Sequence, residues 1–227
     1  MEKRKSEFRN EIFADKVFDI LNWIIIIFVL VIICYPLYFI LIASFSDPNL
    51  VANGDVILIP KGLSLGSYRR TFQYGDIWSG YANSLINTFL GTIISVTVTI
   101  AAAYALSRKE LPGRGLLMGL ITFTMFFSGG LIPTYLIVQG LGLYNTRAVL
   151  LLISAVSAYN LIIARSFMVS NIPEELHEAA VLDGCDEFKF FFQVAIPISK
   201  ALLSVMILLY AVSQWNSYFN ALVYIKD

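Results

Sequence analysis

Charge is scarce in this 227-residue chain: Asp, Glu, Lys and Arg make up 14% of it, and histidine occurs once. With 58% hydrophobic residues and a mean hydropathy of +0.74, a water-soluble fold would have too little interior to hide its apolar surface. The formal net charge is zero, so no basic surface points to nucleic acid. Cysteine is nearly absent as well. Cys34 sits in an apolar run and Cys185 in a polar one, without CxxC or metal-ligand spacing, and both read as ordinary unpaired thiols. No G-x-x-x-x-G-K-[ST] is present, so the chain is not its own nucleotide motor. Nucleophile–base pairs, metal clusters and dinucleotide fingerprints are missing too, which argues against an enzyme and against any metal or cofactor held in this chain. The lone His177 reads as a surface contact.

What the chain has is long apolar runs. Five of them, residues 21–44, 84–106, 116–139, 148–169 and 201–224, approach the ~20 residues needed to cross a bilayer. They predict an all-α, polytopic transmembrane bundle over residues 21–227, preceded by a cytoplasmic segment, residues 1–20. The first run is too long for a signal peptide and lacks a small-x-small cleavage site, so it reads as an uncleaved anchor. Ser128-Gly129-Gly130 and Pro133 should bend or open the third.

Orientation follows from Lys and Arg. Lys3, Arg4, Lys5, Arg9, Lys16, Arg108, Lys109, Arg114, Arg165, Lys189 and Lys200 fall on one side. Lys61, Arg69, Arg70, Arg147 and Lys226 fall on the other. The excess places the N-terminus and residues 171–200 in the cytoplasm. On the outer side, residues 45–83 open with Asp47-Pro48-Asn49, a turn signal. Residues 67–78 then read as an amphipathic helix with Tyr68, Phe72 and Trp78 at headgroup level. That helix either anchors the bundle or receives an external partner. Residues 140–146 are short enough to join antiparallel neighbours.

The polar stretch 171–200, NIPEELHEAAVLDGCDEFKFFFQVAIPISK, is wedged between two apolar runs. Asn171 is a candidate cap, Pro173 suits a first helical position, and Glu174 and Glu175 suit the positive end of the dipole. Leu176, Ala179 and Ala180 fall at i, i+3, i+4. Asp183-Gly184 should close this helix, Asp186 should cap a second one carrying Phe188, Phe190, Phe191 and Phe192, and Pro197 should mark its junction with the fifth run. Two alanines beside Glu178 allow close approach by another surface and offer it a charge. The alternative is an amphipathic hairpin with no partner.

Here a resemblance becomes specific. Glu178-Ala179-Ala180, three residues, Gly184, nine residues, then Val194-Ala195-Ile196-Pro197 resembles the EAA loop of ABC-importer permeases, usually written EAA-x3-G-x9-I-x-L-P. Val194 for isoleucine and Ile196 for leucine depart from it while keeping its shape and apolarity. SYRRTFQYGDIWSGYANSLINT, AAAYALSRKELPGRG and FFSGGLIPTYLIVQGLGLYNT (67–88, 101–115 and 126–146) are similar to the carbohydrate branch, near the smaller maltose-type permease and the oligosaccharide subgroup of Gram-positive bacteria. The likeness weakens before about Phe45.

The resemblance implies a type I importer permease in the bacterial cell membrane that moves a sugar or oligosaccharide inward. Its implied partners are a second permease in a heterodimer, a cytoplasmic ABC ATPase dimer that carries the ATP and Mg, and an extracytoplasmic solute-binding protein. Glu178, Ala179, Ala180, Gly184, Leu176 and Pro197 are then the coupling residues. A sixth span is implied as well; nothing corresponds to it after 201–224, and the chain is expected to be a truncated or partial gene product. For the solute path, polar and aromatic groups within spans are the candidates: Asn87, Tyr159, Asn160, Gln214, Trp215, Asn216, Tyr218 and Asn220. Bonding between helices is the other use such groups have. Other solutes (a polyol, glycerol phosphate, a peptide-like ligand) and a non-transporting scaffold or sensor subunit remain competing readings.

Overall fold

The computed structural model describes the backbone of residues 2–226 and the side chains of residues 15–226. Lys3, Arg4, Lys5 and Arg9, part of the charge argument, therefore lie outside the described side chains. Every regular element among the described residues is helical. They form two compact units, Met1–Trp78 and Ser79–Asp227.

In the first unit, α1 (Glu2–Ser44) contains a 30-residue stretch, Asp15–Ser44, apolar enough to span a membrane. Trp23, Phe28, Ile33 and Leu37, on different faces, are all more than half exposed, which suits lipid or another chain as their medium. The chain then turns through Ser46, whose hydroxyl donates to the Ile42 carbonyl and accepts from the Lys61 N–H. The Asp47 side chain caps α2 (Pro48–Ala52) by accepting from the Asn49 N–H at 2.8 Å. Helix α3 (Gly66–Gln73) is shorter than the amphipathic helix expected over 67–78, because Tyr74 is extended and Gly75 starts the next helix. Tyr68 packs on Phe45 and Phe72 on Trp78, so these aromatics fold onto their own unit.

The second unit is built around α4 (Gly75–Ser107), 33 residues long and apolar enough to span. Its buried residues, Gly91, Thr92, Ser95, Thr99, Ile100, Ala103, Tyr104 and Leu106, form one stripe. Helices α5 (Arg114–Phe126) and α6 (Leu131–Gly140) follow, bent by 120°. The bend falls where Ser128-Gly129-Gly130 predicts it: Gly130 has a φ of +82°, open to glycine at little cost. Local hydroxyls satisfy the freed backbone, with Gly130 N–H donating to Ser128 and Thr134 donating to the Gly130 carbonyl.

Two expected runs are interrupted. Residues 148–169 are not one helix but α7 (Arg147–Leu152) and α8 (Ala158–Asn171). Ser157 makes the new start by accepting from the Asn160 N–H, a side-chain competition that hydropathy does not register. Helix α9 (Glu174–Leu182) and α10 (Glu187–Phe190) then lead through a π-helical turn (Phe191–Ala195) and α11 (Ile196–Ile198) into α12 (Lys200–Trp215). Residues 201–224 also break, because Asn216 and Ser217 bond back to the Val212 and Gln214 carbonyls and separate α12 from α13 (Tyr218–Tyr224).

The main core joins α4, α8, the π turn and α12 through Ile100, Ala103, Leu161, Ala164, Met168, Phe190, Ala195 and Met206. Ala103, Ala164 and Ala195 are fully buried; such small side chains let backbones approach closely, which matters where lipid supplies no hydrophobic drive between helices. A smaller core of Val138, Val149, Leu150 and Tyr224 ties α6, α7 and α13 together.

Candidate functional site

Helix α9 begins at Pro173, which stands as its extended N-cap rather than at the first helical position. Asn171 is not a cap either: it ends α8 and donates its amide to the Phe167 carbonyl. Glu174 and Glu175 occupy the first turn as expected. The helix closes at Gly184, with φ +77°, where the Gly184 and Cys185 N–H groups return to the Val181 and Ala180 carbonyls. This is the glycine-dependent helix stop anticipated there. Asp186 caps α10, accepting from the Lys189 N–H at 2.7 Å.

Glu178 and Ala179 are exposed and Leu182 is almost bare. Leu176, Ala179 and Ala180, which their spacing put on one face, differ in their surroundings. Leu176 is exposed at 39%, whereas Ala180 packs half-buried on the main core. The single buried residue of α9 is His177, 7% exposed, so its reading as a surface contact is corrected. Pro197 lies inside α11, and the chain turns by 81° two residues later, at Ser199. Proline has no N–H for the Gln193 carbonyl, and the helix winds as π just before it.

Beneath α9 lies a polar cluster that sequence reasoning missed. His177 Nε2 and Glu187 Oε1 are 2.6 Å apart, and Tyr104 donates to Glu187 Oε2 at 2.6 Å. Glu174 lies 3.3 Å from Lys109 and 3.9 Å from Arg108. The Arg108 guanidinium stands over the Phe190 and Tyr104 rings at 5.5 and 5.6 Å, and Phe190 meets His177 edge-on. Burial works to raise the Glu187 pKa, but hydrogen bonds from Tyr104 and His177, with Arg108 nearby, hold it below the ordinary carboxylate value. Arg165 donates to the Leu106 carbonyl, satisfying the C-terminal end of α4. A cavity of about 750 Å³, lined by Ile100, Tyr104, Arg108, Glu187, Phe191 and Leu203 among others, opens beside the cluster.

The solute-path candidates do not gather in one pocket. Gln214 is buried against α4, where a Cβ on Gly91 would stand 2.6 Å from its amide carbon. Asn216 bonds its own helix and Asn220 donates to Ser154 at 3.3 Å, while Trp215, Tyr218 and Tyr159 face outward, about half to three-quarters exposed. Asn160 is half-buried at the start of α8, and the half-buried Asn87 lies on α4. More coherent is a seam with a helical period: Thr88, Thr92, Ser95 and Thr99 descend α4 toward Tyr210 and Gln214 of α12. Thr99 and Tyr210 hydroxyls are 2.6 Å apart, and the Ser157 N–H donates to Tyr210. Asn87 Oδ1, Thr88 Oγ1, Thr92 Oγ1, Ser95 Oγ and Gln214 Nε2 are buried without a hydrogen-bond partner. The i, i+4, i+7, i+11 spacing of those hydroxyls was the signal that could have found the seam.

No protein-family model matches the chain. The polygalacturonan/rhamnogalacturonan transport system permease protein YtcP of Bacillus subtilis (strain 168) is 38% identical over 94% of the chain and 74% of its own length. The probable ABC transporter permease protein YurM of the same bacterium is 34% identical, over 90% and 69%. A chain of a bacterial ABC transporter involved in the import of the acidic polysaccharide alginate superposes with a TM-score of 0.89 and 33% identity, covering 94% of this chain and 76% of that one.

Proposed function

Because the chain belongs to the permease subunits of ABC transporters, we propose that it carries a sugar or oligosaccharide, most simply an acidic one, into the cytoplasm. In this reading it works beside a second permease. A binding protein delivers solute from outside, and a pair of cytoplasmic ATPases hydrolyses ATP; this chain itself catalyses nothing. The N-terminus and α9 face the cytoplasm. The substrate class rests on the named relatives, whose printed roles concern polygalacturonan, rhamnogalacturonan and alginate.

The observation that carries the coupling role is the bareness of Glu178 and Ala179 on a short helix continuous, through the Gly184 turn, with α10 and α12. Such a helix seats in a partner's cleft by shape, with Glu178 available to a cation across the contact. To switch most of a two-state population, the ATPases must favour one orientation by roughly 5.5 kcal/mol. A rigid turn entering the core at Phe190 and Ala195 can transmit that bias. Ala180 and Pro197 support the hairpin rather than touch the partner directly, while Leu176 lies exposed where a partner can reach it. On the solute side, the seam of Asn87, Thr92, Ser95 and Gln214 offers hydroxyl and amide groups to a polyhydroxyl solute, Trp215 and Tyr218 offer rings to a sugar face, and Asn160 offers an amide at the start of α8, whereas Asn216 and Asn220 are engaged with Val212 and Ser154.

The test is uptake of a labelled oligogalacturonide into proteoliposomes holding both permeases, the ATPase and the binding protein. ATP-dependent uptake that falls at least about tenfold in Glu178→Ala supports the reading. Wild-type uptake in that variant contradicts the coupling role, and uptake of glycerol 3-phosphate in place of the oligogalacturonide contradicts the substrate class.

A further inference from the structure

We propose that His177, Glu187 and Tyr104 form a clamp that sets the angle of α9 against the bundle, which makes His177 and Tyr104 positioning residues for coupling. The inference rests on α9 being the coupling helix and extends that reading from its exposed face to the side carrying the buried His177.

Apart from the half-buried Ala180, few apolar contacts hold α9. A nine-residue helix is too short to be stable alone. Leu176, Val181 and Leu182, the large apolar side chains it might bury, are exposed at 39, 53 and 89%. His177 is its one buried residue, so the helix is seated by a polar contact where an apolar one would be ordinary. That contact leads somewhere specific. One Glu187 oxygen meets His177 and the other accepts from Tyr104, so a single carboxylate joins α9, the start of α10 and the inner end of α4. Both of its oxygens are engaged, each with a directional partner; the carboxylate is 55% exposed, so what these contacts supply is direction more than strength. The Phe190 ring closes the fourth side against His177, and Phe190 is itself 1% exposed in the main core.

Greasy packing would let α9 slide and rotate. Two short, directional bonds through one carboxylate do not. A displacement of α9 by the partner is therefore handed to α4 through Tyr104 and to α12 through α10, rather than lost as local tilting. Arg108 and Lys109, paired with Glu174, brace the first turn of α9 against the same end of α4.

The experiment uses the complete transporter in proteoliposomes, reading oligogalacturonide taken up per ATP hydrolysed. Spin labels at Leu182 and Pro112, in a background without Cys34 and Cys185, give the distance from α9 to the loop after α4. His177→Leu removes the polar partner, and Tyr104→Phe removes only one hydroxyl while keeping the ring, so the second variant tests the clamp even where the first fails to fold. His177→Gln restores a donor to Glu187. The expected result is about a tenfold fall in uptake per ATP with a broadened distance distribution in Tyr104→Phe and His177→Leu, and substantial recovery of both in His177→Gln. Unchanged coupling and an unchanged distribution in Tyr104→Phe and His177→Leu overturn the clamp. If Glu178→Ala still uncouples in that case, only the clamp fails; if it does not, docking through α9 fails with it.

Discussion

Gly184→Ala isolates the turn between α9 and α10. The site has two properties that separate its energetics. Its φ of +77° lies in the left-handed region, which costs a residue with a Cβ roughly 1–2 kcal/mol. A Cβ there would meet nothing within 4 Å, so no steric term adds to the backbone one. Alanine should therefore destabilise the closed turn by about 1–2 kcal/mol, lowering its equilibrium against the opened hairpin by roughly 5–30-fold. Asparagine, which tolerates this conformation, should cost distinctly less. Native-state hydrogen exchange reads the effect at the Gly184 and Cys185 amides, which bond to Val181 and Ala180 carbonyls. Their protection should fall by that factor in the alanine variant and by less in the asparagine variant, while amides around Met206 stay unchanged. Uptake should follow the same order. Equal protection in wild type and alanine variant, or an asparagine variant worse than the alanine one, would refute the assignment of the turn to backbone conformation.

Three further outcomes are expected. Tyr210→Phe deprives the Thr99 hydroxyl and the Ser157 N–H of their partner and should cost about 0.6–1.7 kcal/mol, read by reversible unfolding in mixed micelles; no loss would mean the seam bonds carry nothing. Ala164→Leu forces extra volume into a fully buried contact of the main core and should cost about 1–3 kcal/mol in the same assay, whereas a neutral result would show slack there. Glu187 has its pKa lowered in the fold, so its contribution is complete above the ordinary carboxylate value of about 4.3 and is lost as pH falls through the depressed value. Thermal unfolding of wild type against Glu187→Gln should show a wild-type advantage at pH 5 that shrinks as the pH is taken well below the ordinary carboxylate value. An advantage that grows as the pH falls from 5 into stronger acid would contradict that sign.

The parts of the fold legible in the sequence are those governed by runs and by backbone punctuation. Long apolar composition foretold α1 and α4, and Gly130, Gly184 and Asp186 stand where their φ preference and capping chemistry put them. What hydropathy could not register was interruption by small polar side chains. Ser157, Asn216 and Ser217 look like passengers in apolar runs, yet each bonds nearby backbone, Ser157 to start a helix and Asn216 and Ser217 where one stops. The candidate site divides the same way. Glu178 and Ala179 are exposed as their spacing suggested. His177 was misread because its partner Glu187 is ten residues away across a glycine turn, and Tyr104 is farther still. Only the folded chain brings those groups together. The solute-path residues near 214–220 looked clustered in sequence but diverge, since helical rotation and the break at Asn216 point them in different directions.

Coupling through α9 requires that its exposed face meet the ATPase. The direct measurement is disulfide or short-linker crosslinking from Ala179→Cys, with Cys34 and Cys185 replaced, in membranes holding the assembled transporter. Capture of the ATPase at Ala179, with an efficiency that changes between nucleotide-free and ATP-bound states, is the predicted result. Capture of no ATPase in either state, or labelling of that cysteine by an impermeant reagent added from outside the cell, would contradict it.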